Sequence, residues 1–306
     1  MAKVLVIGST NIDFIIQVPA LPRPGETIIG HQMDMANGGK GANQAVAVAR
    51  MGIDTRFVTS VGKDQFGINA IEGFKHAGID TAHIYRSEVA TGTAFINISS
   101  DGENSITVNP GANAELKEYM ITPDLYKDID ILLLQLEVPV PTVLKAIDLA
   151  GEFGVKVILN PAPAQHFDRL PFEKLYLFTP NETETEFFTG IEVKNVECAK
   201  EAAKVLHDKG LENLVITMGE KGVFCSFPSF QKHMVGFKVK AVDTTAAGDV
   251  FNGALVAGLK HYSTLENAIK FAQAAAALSV TRLGAQPSIP VLQKVKSFLS
   301  ANAVNL

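Results

Sequence analysis

Short apolar runs alternate with helix-forming stretches through most of this chain, and that alternation limits the folds open to it. Residues 4–8, 55–61, 130–136, 155–159, 175–179 and 214–218 read as strands. The run at 130–136 (DILLLQL) is apolar almost throughout, as expected of a strand covered on both faces. Between these runs, 41–51, 66–77, 141–153 and 196–209 have helix composition, and Gly52 and Gly78 stand where C-caps belong. Residues 249–259 and 265–280 read as two further helices in succession. The pattern predicts an α/β, three-layer α/β/α architecture, with a mainly parallel central sheet and helices on both faces.

Two regions break the alternation. Residues 14–35 mix alternating residues with the turn-rich Pro22-Arg-Pro-Gly25. Residues 91–109 carry TAFINI (93–98) and NSITV (104–108) around a turn at Asp101-Gly102, which reads as a β-hairpin. Together they predict a small sheet projecting as a lid, with an apolar face that needs a partner or ligand beneath it. No internal repeat or low-complexity tract appears, so 1–306 is expected to be one domain with lid segments at about 14–35 and 91–109.

Composition removes whole function classes. The chain is 47% hydrophobic and 19% charged with a net charge of −5, which describes a soluble globular protein. No basic run suits nucleic acid or an anionic membrane, no apolar stretch is long enough to span a bilayer, and the opening residues carry no leader pattern. Cys198 and Cys225 have neither metal spacing nor a disulfide framework, and no His-x-x-x-His pair occurs among the seven histidines. The expectation is a reducing cytoplasm and no zinc.

The chemistry concentrates in DTTAAGD at 243–249, which runs into VFNGALV. The small residues Ala246, Ala247 and Gly248 leave backbone N–H groups bare at a helix start, an anion site by geometry and dipole. Asp249 repels an anion held there, but makes sense as a base that takes a proton from a hydroxyl attacking a phosphoryl group. An Asp near a helix N-terminus is also favourable by itself. Neither a P-loop nor a dinucleotide fingerprint is present. GGKGAN at 38–43 instead sets three glycines at a helix mouth, with Lys40 and Asn43 able to point at hydroxyls. Asn11 and Asp13 follow the first strand and Glu137 follows the strand 130–136, at carboxyl ends where open α/β sheets bind ligands. Asn11 and Asp13 read equally as an Asx-turn pair, and Glu137 as a surface charge. Asn181 and Glu184 are spaced as a capping box and also as a pair that organises Mg²⁺ through water. TMGEKG at 217–222 fits a hairpin or a nucleotide-lining loop, and 281–288 a connector.

In this order these pieces resemble the ribokinase-type carbohydrate kinase family. The glycine motif at 38–43, Asn-x-x-Glu at 181–184 and the signature at 243–249 carry the likeness over nearly the whole chain. NPAPA at 160–164 and TRLGAQPS at 281–288 bring it closest to the ribose-phosphorylating members. The resemblance implies ATP-dependent phosphorylation of D-ribose at its 5-hydroxyl. Asp249 would be the base, and the N–H groups of Ala246, Ala247 and Gly248 the anion hole. Asn11, Asp13, Gly39, Lys40, Asn43 and Glu137 match the ribose-holding positions. Asn181, Thr217, Met218, Gly219, Glu220, Lys221, Gly222, Gly248 and Gln273 match positions lining ATP, with Gln273 standing where some relatives have an imidazole. Asp243, Thr245, Ser279, Arg282, Gly284 and Ser288 match a site for a monovalent cation, typically K⁺, and Mg²⁺ would accompany ATP. A homodimer formed through the lid is implied as well. A ketohexose, deoxyribose or nucleoside kinase of the same fold, or a sugar-binding regulator without catalysis, are the alternatives.

Overall fold

The computed structural model describes residues 4–101, 103–304 and 306; Gly102, in the expected hairpin turn, lies outside the described residues. In chain order the strands are β1 (Val4–Ile7), β2 (Asn11–Val18), β3 (Gln32–Gly38), β4 (Thr55–Gly62), β5 (Ile84–Ser87), β6 (Gly92–Ser99) and β7 (Asn104–Asn109). They continue with β8 (Ile131–Leu134), β9 (Lys156–Leu159), β10 (Leu177–Phe178), β11 (Leu214–Thr217), β12 (Val223–Phe227) and β13 (Phe230–Met234). Nine of them form one sheet in the order β13-β12-β11-β10-β9-β8-β1-β4-β5. Neighbours from β11 to β5 run parallel, and β12 and β13 close that edge antiparallel.

Both faces of this sheet are covered, which is why its central strands β1 and β8 are apolar on every residue. Along β1, Val4 and Val6 pack with the helices Lys40–Arg50, Ala247–His261 and Leu265–Ser279, while Leu5 and Ile7 pack with Val140–Glu152 and Val196–Asp208. All four side chains are fully buried. From β1 the chain moves to β4 and β5 on one side, then returns to β8 on the other. That reversal opens a crevice beyond the carboxyl ends of β1 and β8, where residues 8–13 and 135–137 meet.

The remaining strands form the lid, in the order β3-β2-β6-β7. Its first strand begins earlier than expected: Asn11 and Asp13 are not on a loop but are the first and third residues of β2. Strand alternation then puts both on one face, beside Gly38 and Ala36 of β3 and Gly92 and Ala94 of β6. The opposite face carries Phe14, which stacks on Phe95 at 5.3 Å and meets Phe66 edge-on at 5.8 Å. The edge strands β5 and β13 and the last helix, Leu292–Ala301, had no strong pattern in the sequence; β13 (FQKHM) is polar at its centre because it is an outer strand.

Candidate active site

The glycines at 38–41 are there because neighbours occupy the space a side chain would fill. A Cβ on Gly38 would lie 2.0 Å from Asp13 Oδ2, and one on Gly41 about 2.5 Å from the backbone of Gly8 and Ser9. Gly39 has φ of 88°, a left-handed conformation, and turns the chain into the helix Lys40–Arg50. The start of that helix is pinned by Glu137, whose Oε2 accepts from the Ser9 hydroxyl at 2.6 Å and from the Lys40 N–H at 3.0 Å. Glu137 thus acts as a side-chain anion at a helix N-terminus, and it lines a cavity beside the crevice.

Asp249 is buried in the first turn of Ala247–His261. Asn43 donates to its Oδ2 at 2.9 Å and Gln44 to its Oδ1 at 3.0 Å. Burial pushes this carboxyl above its ordinary range, against the pull of the Lys40 charge and the two amides. Burial also works to lower the Lys40 ammonium, but Asp249, Glu137, Glu184 and Asp13 surround it and raise it overall. Asp13 is pushed up to about 7, by burial first and then by Glu137 and Asp249, with Lys40 opposing. One cation is therefore set among four carboxylates, and burial favours the protonated form of three of them, Asp13, Asp249 and Glu184. Acids tuned in this way are common where protons are moved.

Gln44, whose importance the sequence did not reveal, is itself held. It accepts from Gln135 Nε2 at 2.6 Å and donates to Asn160 Oδ1 at 3.0 Å. Asn160 donates to the Thr179 carbonyl, the Thr179 hydroxyl to Asn252 Oδ1, and Asn252 Nδ2 to the Gly248 carbonyl. A buried polar chain thus links the carboxylate of Asp249 to the residue before it, by way of strand ends β8, β9 and β10. Gln135 is the one polar residue in DILLLQL between its acidic first residue and the strand's end, the single local signal of this chain.

On the other side of Asp249 lies the helix start. Ala246 is the N-cap with φ of 61°, strained for an alanine. Of the three amides expected to form an anion hole, that of Ala247 already closes a turn onto the Thr244 carbonyl at 3.2 Å. Gly248 is exposed, and a Cβ there would meet nothing within 4 Å. Asn181 and Glu184 do form the reciprocal capping box. Glu184 Oε2 accepts from the Asn181 N–H and Oε1 from Asn181 Nδ2, which leaves spare lone pairs suited to hydrated Mg²⁺ rather than direct ligation. Asn181 also bridges to Thr217 across the sheet. In the β11–β12 hairpin, Met218 is buried in the core, Lys221 reaches Glu182 and Gly222 has φ of 98°. Thr217, paired with Asn181, is half-buried, and Gly219 and Glu220 are exposed. Gln273 donates to the carbonyls of Met234 and Val235, so its amide nitrogen is already engaged.

The cation-loop residues converge in part. Asp243 Oδ1 accepts from the Thr245 N–H at 2.9 Å and Oδ2 from the Gly284 N–H at 2.8 Å, and both Val242 and Asp243 donate to the Val280 carbonyl. The hydroxyls of Ser279 and Ser288 bond carbonyls of their own turns, and Arg282 is exposed. The offered donors are all oxygens, as a hard cation requires. Among the described residues no group of three or more His, Cys, Asp or Glu side chains is placed to hold a metal.

A family model described as pfkB family carbohydrate kinase matches residues 1–292. The chain belongs to this family. Ribokinase of Haemophilus influenzae is 46% identical over 98% of this chain and 99% of its own. Deoxyribokinase of Salmonella typhi is 38% identical, over 98% and 99%. The solved ribokinase of Arabidopsis thaliana complexed with ribose and ATP superposes with a TM-score of 0.88 at 31% identity, covering 98% of this chain and 99% of that one. The chain is thus an enzyme of the pfkB kinase class.

Proposed function

We propose that this enzyme transfers the γ-phosphoryl group of ATP to the 5-hydroxyl of D-ribose, yielding D-ribose 5-phosphate and ADP. The observation that carries the reading is the Asp249 carboxylate, buried, held by two amides and set one residue after an exposed glycine at a helix start. Asn11, Asp13, Asn43 and Glu137 hold the sugar. Asp249 accepts the proton of the 5-hydroxyl as its oxygen bonds to the γ-phosphorus, and the bond to the leaving β-phosphate oxygen breaks in line. The N–H groups at Ala246 and Gly248 compensate charge on the moving group. Asn181 and Glu184 would hold Mg²⁺ through water; when bound, it neutralises phosphate charge. Thr217 and the 219–222 backbone would line the nucleotide, and Asp243 with neighbouring carbonyls would hold K⁺ and shape the 243–248 loop.

Residues 1–306 act as one kinase domain in this reading. The lid leaves Met33, Met35, Phe95, Ile106 and Val108 exposed, and we assign them to a homodimer interface. ATP as donor and two free cysteines fit the cytoplasm, and among the described residues no helix is long and apolar enough to cross a membrane. The competing acceptor is 2-deoxyribose, given the deoxyribokinase relative. ADP release from Mg·ATP is measured with D-ribose, 2-deoxyribose, D-fructose and adenosine, each with K⁺ and with Na⁺ alone. Ribose preference with K⁺ stimulation is the expected result; preference for another acceptor overturns the sugar, and equal rates in Na⁺ overturn the cation loop.

A further inference from the structure

Asn113 lies in the turn Gly111–Glu115 that follows the lid hairpin, and it is 1% exposed. Its Oδ1 accepts from the Thr10 N–H at 2.8 Å, and its Nδ2 donates to the Thr10 carbonyl at 3.1 Å. A backbone N–H can only donate and a carbonyl only accept. These two bonds therefore fix which end of the Asn113 amide is which. The same Nδ2 donates to Asn11 Oδ1 at 2.7 Å. Asn11 must then keep its oxygen toward Asn113 and turn its NH₂ the other way. The junction is tight: a Cβ on Gly92 would stand 2.3 Å from both Asn11 Oδ1 and Asn113 Nδ2. On its open side Asn11 borders a cavity of about 310 Å³ shared with Glu137, Val108, Pro110 and Gln165, and Asp13 projects from the same face of β2.

We propose that Asn113 is a positioning residue that sets the polarity of Asn11, so that the sugar site offers one amide donor beside carboxylate acceptors. A hydroxyl placed there accepts from Asn11 and donates to Asp13 or Glu137, satisfying both. A ring carbon without that hydroxyl leaves a desolvated NH₂ and a carboxylate unpaired, which is the strongest form of discrimination a polar site has. Asn113, at the edge of the same cavity, thereby selects for a hydroxyl through the orientation of Asn11. The inference rests on the sugar-kinase reading and deepens it.

The test is Asn113→Asp, which keeps the acceptor for the Thr10 N–H and removes the NH₂ that fixes Asn11. Asn11→Asp inverts the polarity directly and is the second variant. Kinetics are measured with ribose and with its 1-, 2- and 3-deoxy analogues, alongside titration calorimetry of each sugar without ATP and thermal melts. Asn113→Asp is expected to raise KM and Kd for ribose about tenfold, a loss of one hydrogen bond to a polar group. kcat at saturating ribose and KM for ATP should stay near wild type, and discrimination against one deoxy analogue should collapse while the others persist. Asn11→Asp should reproduce the loss of ribose affinity and of discrimination. An Asn113→Asp enzyme with unchanged sugar affinity and discrimination would overturn the assignment. So would a fall in kcat on all acceptors alike that tracks a lower Tm, since that marks a structural role only. If Asn113→Asp does not fold, Asn11→Asp decides: retained discrimination overturns the proposal. Failure of the ribose reading shows in the wild-type acceptor panel, whereas failure of this inference shows only in the ratio of variant to wild type.

Discussion

The two sides of Asp249 are built on opposite principles. On the proposed sugar side, Asn11, Asp13, Asn43 and Gln44 are all buried, and their amides are oriented by partners far away in sequence. On the proposed phosphate side, Thr244, Gly248, Gly219 and Glu220 are exposed, and the helix start is held by backbone turns and one left-handed alanine. A hydroxylated ring must be told from its near copies, and fixed hydrogen-bond polarity does that. A triphosphate carries its own charge and metal, so backbone amides at a helix start suffice. Specificity is concentrated on the preorganised side, and adaptability on the other.

The largest effect expected is at the boundary itself. Asp249→Asn should lower kcat by about 10³-fold or more while ribose still binds by calorimetry; near-normal turnover would remove Asp249 as the base. Gln44→Met tests whether the sugar side acts through the base. It should cost about 10–100-fold in kcat. Burial already raises the Asp249 carboxyl, and losing a donor to the charged form raises it further. The base works ionised, so the acid limb of kcat/KM should move to higher pH; an unmoved limb would make Gln44 a packing residue. Lys40, Asp13, Glu137 and Glu184 also face this group, so the comparison is with wild type under the same conditions.

Gly248→Ala probes the phosphate side. Nothing lies within 4 Å of its Cβ position, so the melting curve should be unchanged while kcat/KM for ATP falls about tenfold through crowding of the anion path. Loss of folding instead would mean the exposed side is as tightly built as the buried one. The smallest effect is on stability. Asp13 titrates near 7 when folded, against 3.8 in an unfolded chain. Between those values the unfolded chain binds fewer protons, so stability falls as pH rises through the window, and the cost is complete above 7. Asp13→Asn should therefore raise Tm by a few degrees at pH 8 and by less at pH 5, at the expense of sugar binding. A gain independent of pH would assign it to packing.

The legible parts were those where residue type and spacing do the work locally. Asp249 after three small residues, the glycines at 38–41 and the capping pair Asn181/Glu184 each announce a backbone geometry within a few positions. The buried strands were legible because both their faces must be apolar. Gln44, Asn113 and Asn252 were not, since an amide's meaning lies in its partners: Gln44 finds Asp249 across 205 positions and Asn113 finds Thr10 across 103. Asn11 and Asp13 were placed at the right end of β1 but on a loop, because the pairing of β2 with β3 and β6, which makes them strand residues, is long-range. The nucleotide side depends on backbone more than on side chains. Met218 and Gln273 match by position, yet one packs in the core and the other bonds the end of β13.

The lid does more than cover the crevice, because β2 begins at Asn11 and carries Asp13. The gripping residues and the cover are one piece of chain, rooted at Thr10 and Asn113. In the proposed reading, the groups that choose the acceptor come from residues 9–43, 113 and 137, while those around the phosphates come from 181 onward. What is phosphorylated and how it is phosphorylated are thus encoded in separate stretches of the gene. Evolution can redraw the first by recasting the lid's root and leave the second intact, which is how one scaffold comes to serve many alcohols with one chemistry.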